Sequence, residues 1–115
     1  MRMRIYRILG ESDWRAAQAS GAFEGSADDR RDGFIHFSTA EQAAETAVRH
    51  YAQKKDLLLL CVDAAALTAP LKWEVSRGGA LFPHLYGVLP ASAVLSAVPL
   101  PLGPDGKFVF PALEP

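Results

Sequence analysis

The residues of this chain whose types suit acid–base work are His36, Glu74, His84 and Tyr86, from three separate segments. The first lies in Gly33-Phe34-Ile35-His36-Phe37-Ser38-Thr39-Ala40-Glu41-Gln42, an alternating run that leads into a helix start. Run as a strand, it puts Ile35 and Phe37 on one face and Phe34, His36 and Ser38 on the other. An apolar core claims Ile35 and Phe37, so His36 and Ser38 face a cleft or solvent. Ser38 or Thr39 then caps the helix, with Glu41 spaced for a capping box from Ser38. The unpaired N–H groups of such a helix start attract anions. Glu74 lies in Leu71 to Val75, where Leu71, Trp73 and Val75 take one face and Lys72 and Glu74 the other. His84 and Tyr86 are two apart, and an extended chain puts them on one side. With Trp73 and Phe82 beside them, the four polar side chains are expected to border one concavity with aromatic walls. Each also has an ordinary role open to it: a satisfied sheet histidine, a solvated carboxylate, an aromatic with its hydroxyl at the surface.

Other chemistries are set aside by spacing. The three histidines and the single cysteine show no H-x-x-x-H, no C-x-x-C and no histidine–carboxylate cluster, so no metal site is expected. No glycine pattern matches a dinucleotide or phosphate-loop fingerprint, and Gly-x-Ser-x-Gly is absent. Side chains two apart on a strand point in parallel, so His36 does not activate Ser38 as a nucleophile; Ser38 reads as a helix cap. No stripe of basic and aromatic residues offers a nucleic-acid platform.

The elements that must position these residues fit one domain. The chain has 115 residues, is 50% apolar and carries a formal charge of −1, which gives no general pull toward nucleic acid or anionic membranes. Cys61 lies in an apolar run, so there is no disulfide framework; a reducing, cytoplasmic setting fits. The N-terminus has basic residues without a long apolar run, and Leu57 to Val62 is too short to span a bilayer. Met3 to Leu9 reads as a strand with Ile5, Arg7 and Leu9 on one face. Two readings of Arg7 stay open: a side chain snorkelling off a sheet edge, or an anion-pairing fork. Ser12 caps a short helix, Asp13 to Ser20, ended by Gly21. Ala22 to Asp32 has no period, and Asp28-Asp29-Arg30-Arg31-Asp32 reads as a solvated loop, a candidate flap. Ala40, Ala43, Ala44, Ala47, Val48 and Tyr51 form one apolar stripe of a helix. His50 near its end is given no role. Leu57 to Val62, apolar on both faces, is a central strand. Asp63 to Leu67 is one helical turn, Leu71 to Val75 a strand, and Ser76 to Ala80 a flexible connection. Pro83 argues against a central strand at that point. Ala93 to Pro99 is a further strand, and Lys107 to Phe110 a last one. Trp14 and Trp73 are assigned to packing.

Several of these stretches resemble a known family. Ile5-Tyr6-x-Ile8, Trp14 with Ala16-Ala17-Gln18-Ala19-Ser20-Gly21, Gly33-Phe34-Ile35-His36-x-Ser38, the Ala-rich helix with Glu41-Gln42, Leu71-x-Trp73-Glu74 and Phe82-Pro83-His84-Leu85-Tyr86-Gly87 are similar to a group of small bacterial domains of unknown function. That group is loosely labelled glutathione S-transferase-related. The label fails physically, because that architecture needs a thioredoxin-like and a helical domain. The resemblance runs from about residue 4 to 101. The group in turn looks like a distant relative of the ADP-ribosyltransferases, including the RNA 2′-phosphotransferases. That implies a split sheet with helices packed on it and NAD bound between two half-sheets. By position, His36 would stack on or orient the nicotinamide, Ser38 or Thr39 would lie near its ribose, and Arg7 would take the first-motif position. The carboxylate of the third motif has no clear match near Tyr86.

The expectation is therefore an α+β single domain over residues 1–115, with a core of about 3–101 and a tail of 102–115. It has a split mixed or antiparallel sheet and two main helices, ADP-ribosyltransferase-like. Its ligand would be NAD or another nucleotide-like phosphate ester, with His36, Glu74, His84 and Tyr86 in catalytic roles. Arg7, His36, Ser38 and Thr39 would hold the ligand, and no metal is called for. A non-catalytic ligand-binding or protein-interaction module, or a small structural partner of an enzyme, is the alternative. Oligomeric state is not set by the sequence.

Overall fold

The computed structural model describes residues 3–115. Met1 and Arg2, which the single-domain span and the reading of the N-terminus include, lie outside the described residues. The double-faced apolar run forms β4 (Leu57–Asp63), flanked on its two edges by β1 (Arg4–Gly10) and β8 (Val94–Pro99), all antiparallel. Alternation in β1 and β4 sorts their side chains into two cores, one on each face of the sheet. Ile5, Leu9, Leu60 and Val62 go to one, packed with Phe23, Ile35, Phe37 and Leu85. Tyr6, Ile8, Leu57 and Leu59 go to the other. Helix α1 (Glu11–Ser20) covers the first through Ala17 and Trp14, and α3 (Ala43–Tyr51) covers the second through Ala43 and Ala47.

A second antiparallel sheet has the order β3 (Ile35–His36), β6 (Leu81–Leu85), β5 (Leu71–Val75). β2 (Ala22–Phe23) and β7 (Leu89–Pro90) make a separate short pair. The two larger sheets are tied where the chain leaves β3: Tyr6 and Ser38 exchange both backbone bonds, at 2.8 and 2.9 Å. The chain after β8 packs Phe108, Phe110 and Leu113 onto the second core. The Tyr6 hydroxyl donates to the Glu114 carbonyl at 2.6 Å, and burial, then a bond with Cys61, pushes its pKa up to about 12.

The structure corrects several sequence expectations. Asp28 to Asp32 is not a loop but part of a third helix, α2 (Ala27–Asp32), held by a capping box between Ser26 and Asp29. Of the mixed or antiparallel sheet expected, the antiparallel form is found, since every strand pairing among the described residues is antiparallel. The box before α3 is one residue further along: Thr39 Oγ1 accepts from Gln42 N, and Gln42 Oε1 accepts from Thr39 N. Ser38 and Glu41 do not form it. The stripe of α3 is narrower than expected, since Val48 is 68% exposed; Ala43 and Ala47, one turn apart, carry the contact. Helix α1 starts at Glu11 with Gly10 before it rather than at a Ser12 cap. Residues 107–110 make only a single bridge, Leu102 with Phe108. Pro83 does sit in a central strand. Phe37 N still donates to its carbonyl at 3.0 Å, but proline has no N–H to return the bond, and pairing with β3 ends at His36. Trp73 is 37% exposed, because it lies on an edge strand beside Val75 and Leu81, which are more exposed still.

Candidate functional site

His36 is placed by the cross-strand register that sets it opposite His84. The two rings lie on one face with centroids 5.6 Å apart, edge to face at 71°. Phe34 stacks on His84 at 4.0 Å and fixes its plane. The alternation read from the sequence holds here, since Ile35 and Phe37 turn the other way into the core.

Each histidine is bonded to a carboxylate through Nδ1. For His36 it is Asp29 Oδ1 at 2.6 Å, and for His84 it is Glu74 Oε1 at 2.9 Å. Asp29 is almost fully buried and also accepts from Arg7 Nη1 at 2.8 Å and from His36 N at 3.1 Å. Its other oxygen takes the Ser26 backbone N–H at 2.7 Å, the bond that starts α2. Burial alone would push the Asp29 carboxyl up; the hydrogen bonds from His36 and Arg7 overcome it and hold the group well below the usual carboxylate range. Arg7 is thus the anion-pairing fork, and its anion is Asp29. Its remaining donors go to the His36 and Ile8 carbonyls and to Ser26 Oγ, and its guanidinium lies over the Phe23 ring.

The second nitrogen of His36, Nε2, meets Asp32 Oδ2 at 2.9 Å. Arg31 beside Asp32 holds that carboxyl below its ordinary value. Two ionised carboxylates flank the ring, and both bonds at once require a proton on each nitrogen. Glu74 is shared: the Tyr86 hydroxyl donates to Oε1 at 2.6 Å, and that bond, then the one from His84, lowers the Glu74 carboxyl and raises the Tyr86 hydroxyl. Lys72 sits over the Tyr86 ring at 4.8 Å.

A cavity of about 420 Å³ opens between α2, α3, β1 and the loop after β5. His36, His84, Arg7 and Ser38 line it, together with Arg77 and His50. Glu74 and Tyr86 do not line it and reach it through His84. Ser38 Oγ is bonded to Thr46 Oγ1 at 2.9 Å, so Ser38 ties α3 to the strand rather than capping it. Thr39 sits in the turn before α3. Sequence reasoning missed Asp29, Asp32, Arg77 and His50. For Asp29 a signal exists in Ser26-x-x-Asp29, a capping-box spacing with an acid in its third position. Arg77 Nη2 donates to Thr46 Oγ1 at 3.1 Å, and its guanidinium lies 4.9 Å over the Phe82 ring. Among the described residues no cluster of histidine, cysteine and carboxylate suits a metal ion, and no helix is long and apolar enough to cross a membrane.

The family model described as "Protein of unknown function (DUF952)" matches residues 8–97, which takes in α2, His36, Glu74 and His84 and begins just after Arg7. The chain belongs to the DUF952 family. The crystal structure of protein CC0527 from Caulobacter crescentus is 51% identical and superposes with a TM-score of 0.87. The match covers 92% of this chain and 93% of that one. The solution NMR structure of the same protein is 52% identical over 90% of each chain, with a TM-score of 0.80. No curated protein matches. The DUF952 description names no activity, and the two CC0527 structures bear on the α+β fold.

Proposed function

We propose that the cavity takes a nucleotide-like phosphate ester, NAD among that class, and that His36 is the residue that acts on it. One observation carries this reading: an Asp29-bonded histidine lies in a cavity of about 420 Å³ that also gathers Arg77 and His50. A carboxylate behind Nδ1 fixes the tautomer and orientation of an acid–base histidine. Arg77, stacked on Phe82, bonds Thr46 through Nη2 and meets His50 Nε2 through Nη1 at 3.5 Å, and it keeps further N–H groups for phosphate oxygens. The volume is near the small end of ligand pockets, roughly 300–1,000 Å³, so one nucleotide half fills it. On the ADP-ribosyltransferase resemblance, that half is the nicotinamide end, with its ring against His36 and its ribose toward Ser38; Thr39 does not line the cavity. Arg7 then serves the ligand through Asp29 and His36.

A non-catalytic binding module is the second reading. It is favoured by the fact that both ring nitrogens of His36 already have partners, Asp29 and Asp32.

Calorimetry with NAD, ADP-ribose and AMP tests the proposal, alongside thermal melts with the same ligands. At least one of the three is expected to bind, and His36→Ala is expected to weaken it tenfold or more, about 1.4 kcal/mol. No binding by the wild type at millimolar concentration would overturn it.

A further inference from the structure

We propose that His84 and His36 work as a base–acid pair that hydrolyses a nucleotide phosphodiester. This rests on the phosphate-ester reading of the cavity and adds the reaction and the second catalytic residue. The two histidines differ in what their outer nitrogens meet. His84 gives Nδ1–H to Glu74, and no group among the described residues bonds its Nε2. No buried side-chain N or O among those residues lacks a partner, so that nitrogen is not sealed from the surface, and His84 is one of the residues that line the cavity. An imidazole with Nδ1–H bonded and Nε2 open is a proton acceptor. His36 carries a proton on Nε2 and gives it to Asp32, which is at the end of α2 and about one-third exposed. A substrate oxygen that takes the place of Asp32 receives that proton instead.

The rings meet edge to face with centroids 5.6 Å apart and both line the cavity, so one phosphorus held in the cavity over the pair is within reach of both. A water molecule attacks phosphorus, and its proton passes to His84 Nε2 as the new P–O bond forms. The P–O bond to the leaving oxygen breaks, its electron pair stays on that oxygen, and His36 Nε2 supplies the proton. The products are a phosphate monoester and an alcohol. His84 has gained one proton and His36 has lost one, and transfer through water resets the pair. Arg77 neutralises the non-bridging oxygens. Glu74 and Tyr86 act through His84, as positioning residues.

Two probes separate the roles. Thymidine 5′-(p-nitrophenyl phosphate) has a leaving group that needs no proton, whereas thymidylyl-(3′→5′)-thymidine leaves as an alkoxide and needs one. The wild type is expected to hydrolyse both. His84→Asn keeps a donor for Glu74 but offers no base, and should lower kcat on both esters by 100-fold or more. His36→Ala should lower kcat 100-fold on the dinucleotide and less than tenfold on the p-nitrophenyl ester. Glu74→Gln should lower kcat on both with KM unchanged. Thermal melts and calorimetry with thymidine 5′-monophosphate accompany each variant. If the monophosphate binds and neither ester is cleaved, or if cleavage survives His84→Asn, the pair is overturned while the binding reading stands. If neither ester nor monophosphate binds, both fall together.

Discussion

The buried pair Arg7–Asp29 supports the whole site, and removing one partner should be far worse than removing both. Arg7 is 7% exposed and Asp29 2% exposed, with a separation of 2.8 Å. Asp29→Ala leaves a guanidinium in the core with no counter-charge, which costs about 3–5 kcal/mol. It also frees the Ser26 N–H at the start of α2, a capping loss of about 1 kcal/mol. For a domain near this size, 1 kcal/mol moves Tm by about 4 °C, so the combined loss of about 4–6 kcal/mol is expected to lower it by roughly 16–24 °C. Replacing both residues by apolar ones, Arg7→Met with Asp29→Leu, removes the uncompensated charge. The double variant should therefore melt above Asp29→Ala alone. Urea unfolding followed by circular dichroism measures both, and the slope of the transition checks that unfolding stays two-state. A loss below about 1 kcal/mol for Asp29→Ala, with the slope unchanged, would refute the claim that this pair is sealed from water.

The same carboxylate sets a pH dependence. Asp29 titrates well below the unfolded value of about 3.9, so between the two values the unfolded chain binds the extra proton. Its contribution is complete above about pH 4 and is lost as pH falls below that; the melting temperature of the wild type should drop more steeply from pH 5 to pH 3 than that of Asp29→Asn. The burial difference between two strands gives another test. Leu60→Ala, at 0% exposure in β4, should cost about 2–5 kcal/mol, whereas Trp73→Ala, at 37% exposure on β5, should cost about 1 kcal/mol or less in the same urea experiment.

Periodicity was informative wherever a core imposes it. β4 reads as apolar on both sides because a helix covers each face of its sheet, and Ile35 and Phe37 separate from His36 for the same reason. Alternation tells which residues share a face and nothing about whether that face is covered, which is why Trp73 reads as a packing residue and is half open. Helix α2 is one and a half turns of charge with no apolar stripe. It is held by the Ser26–Asp29 box and by Arg7, 22 positions away in the chain. A contact at that range leaves no trace in local spacing. Arg77 is equally silent, because a guanidinium just before two glycines acquires its place only when the turn at Gly78 and Gly79, both with positive φ, folds it over Phe82.

Pro83 marks the point beside the cavity where pairing between β3 and β6 stops. An ordinary residue there would extend the β3–β6 ladder past His36 and carry Phe37 and Ser38 along the second sheet. With the return bond missing, the chain keeps only the bond from Phe37 N and turns to β1, where Tyr6 and Ser38 satisfy each other. The chain therefore passes from one sheet to the other just beyond His36, and α3 starts a few residues later, at Ala43. The polar side chains there find their partners on three different elements: His36 on α2, His84 on β5 and Ser38 on α3. A histidine pair in the middle of an unbroken sheet face would be covered by the next layer. At a strand that changes partners it borders open volume, and that is where a ligand can reach it.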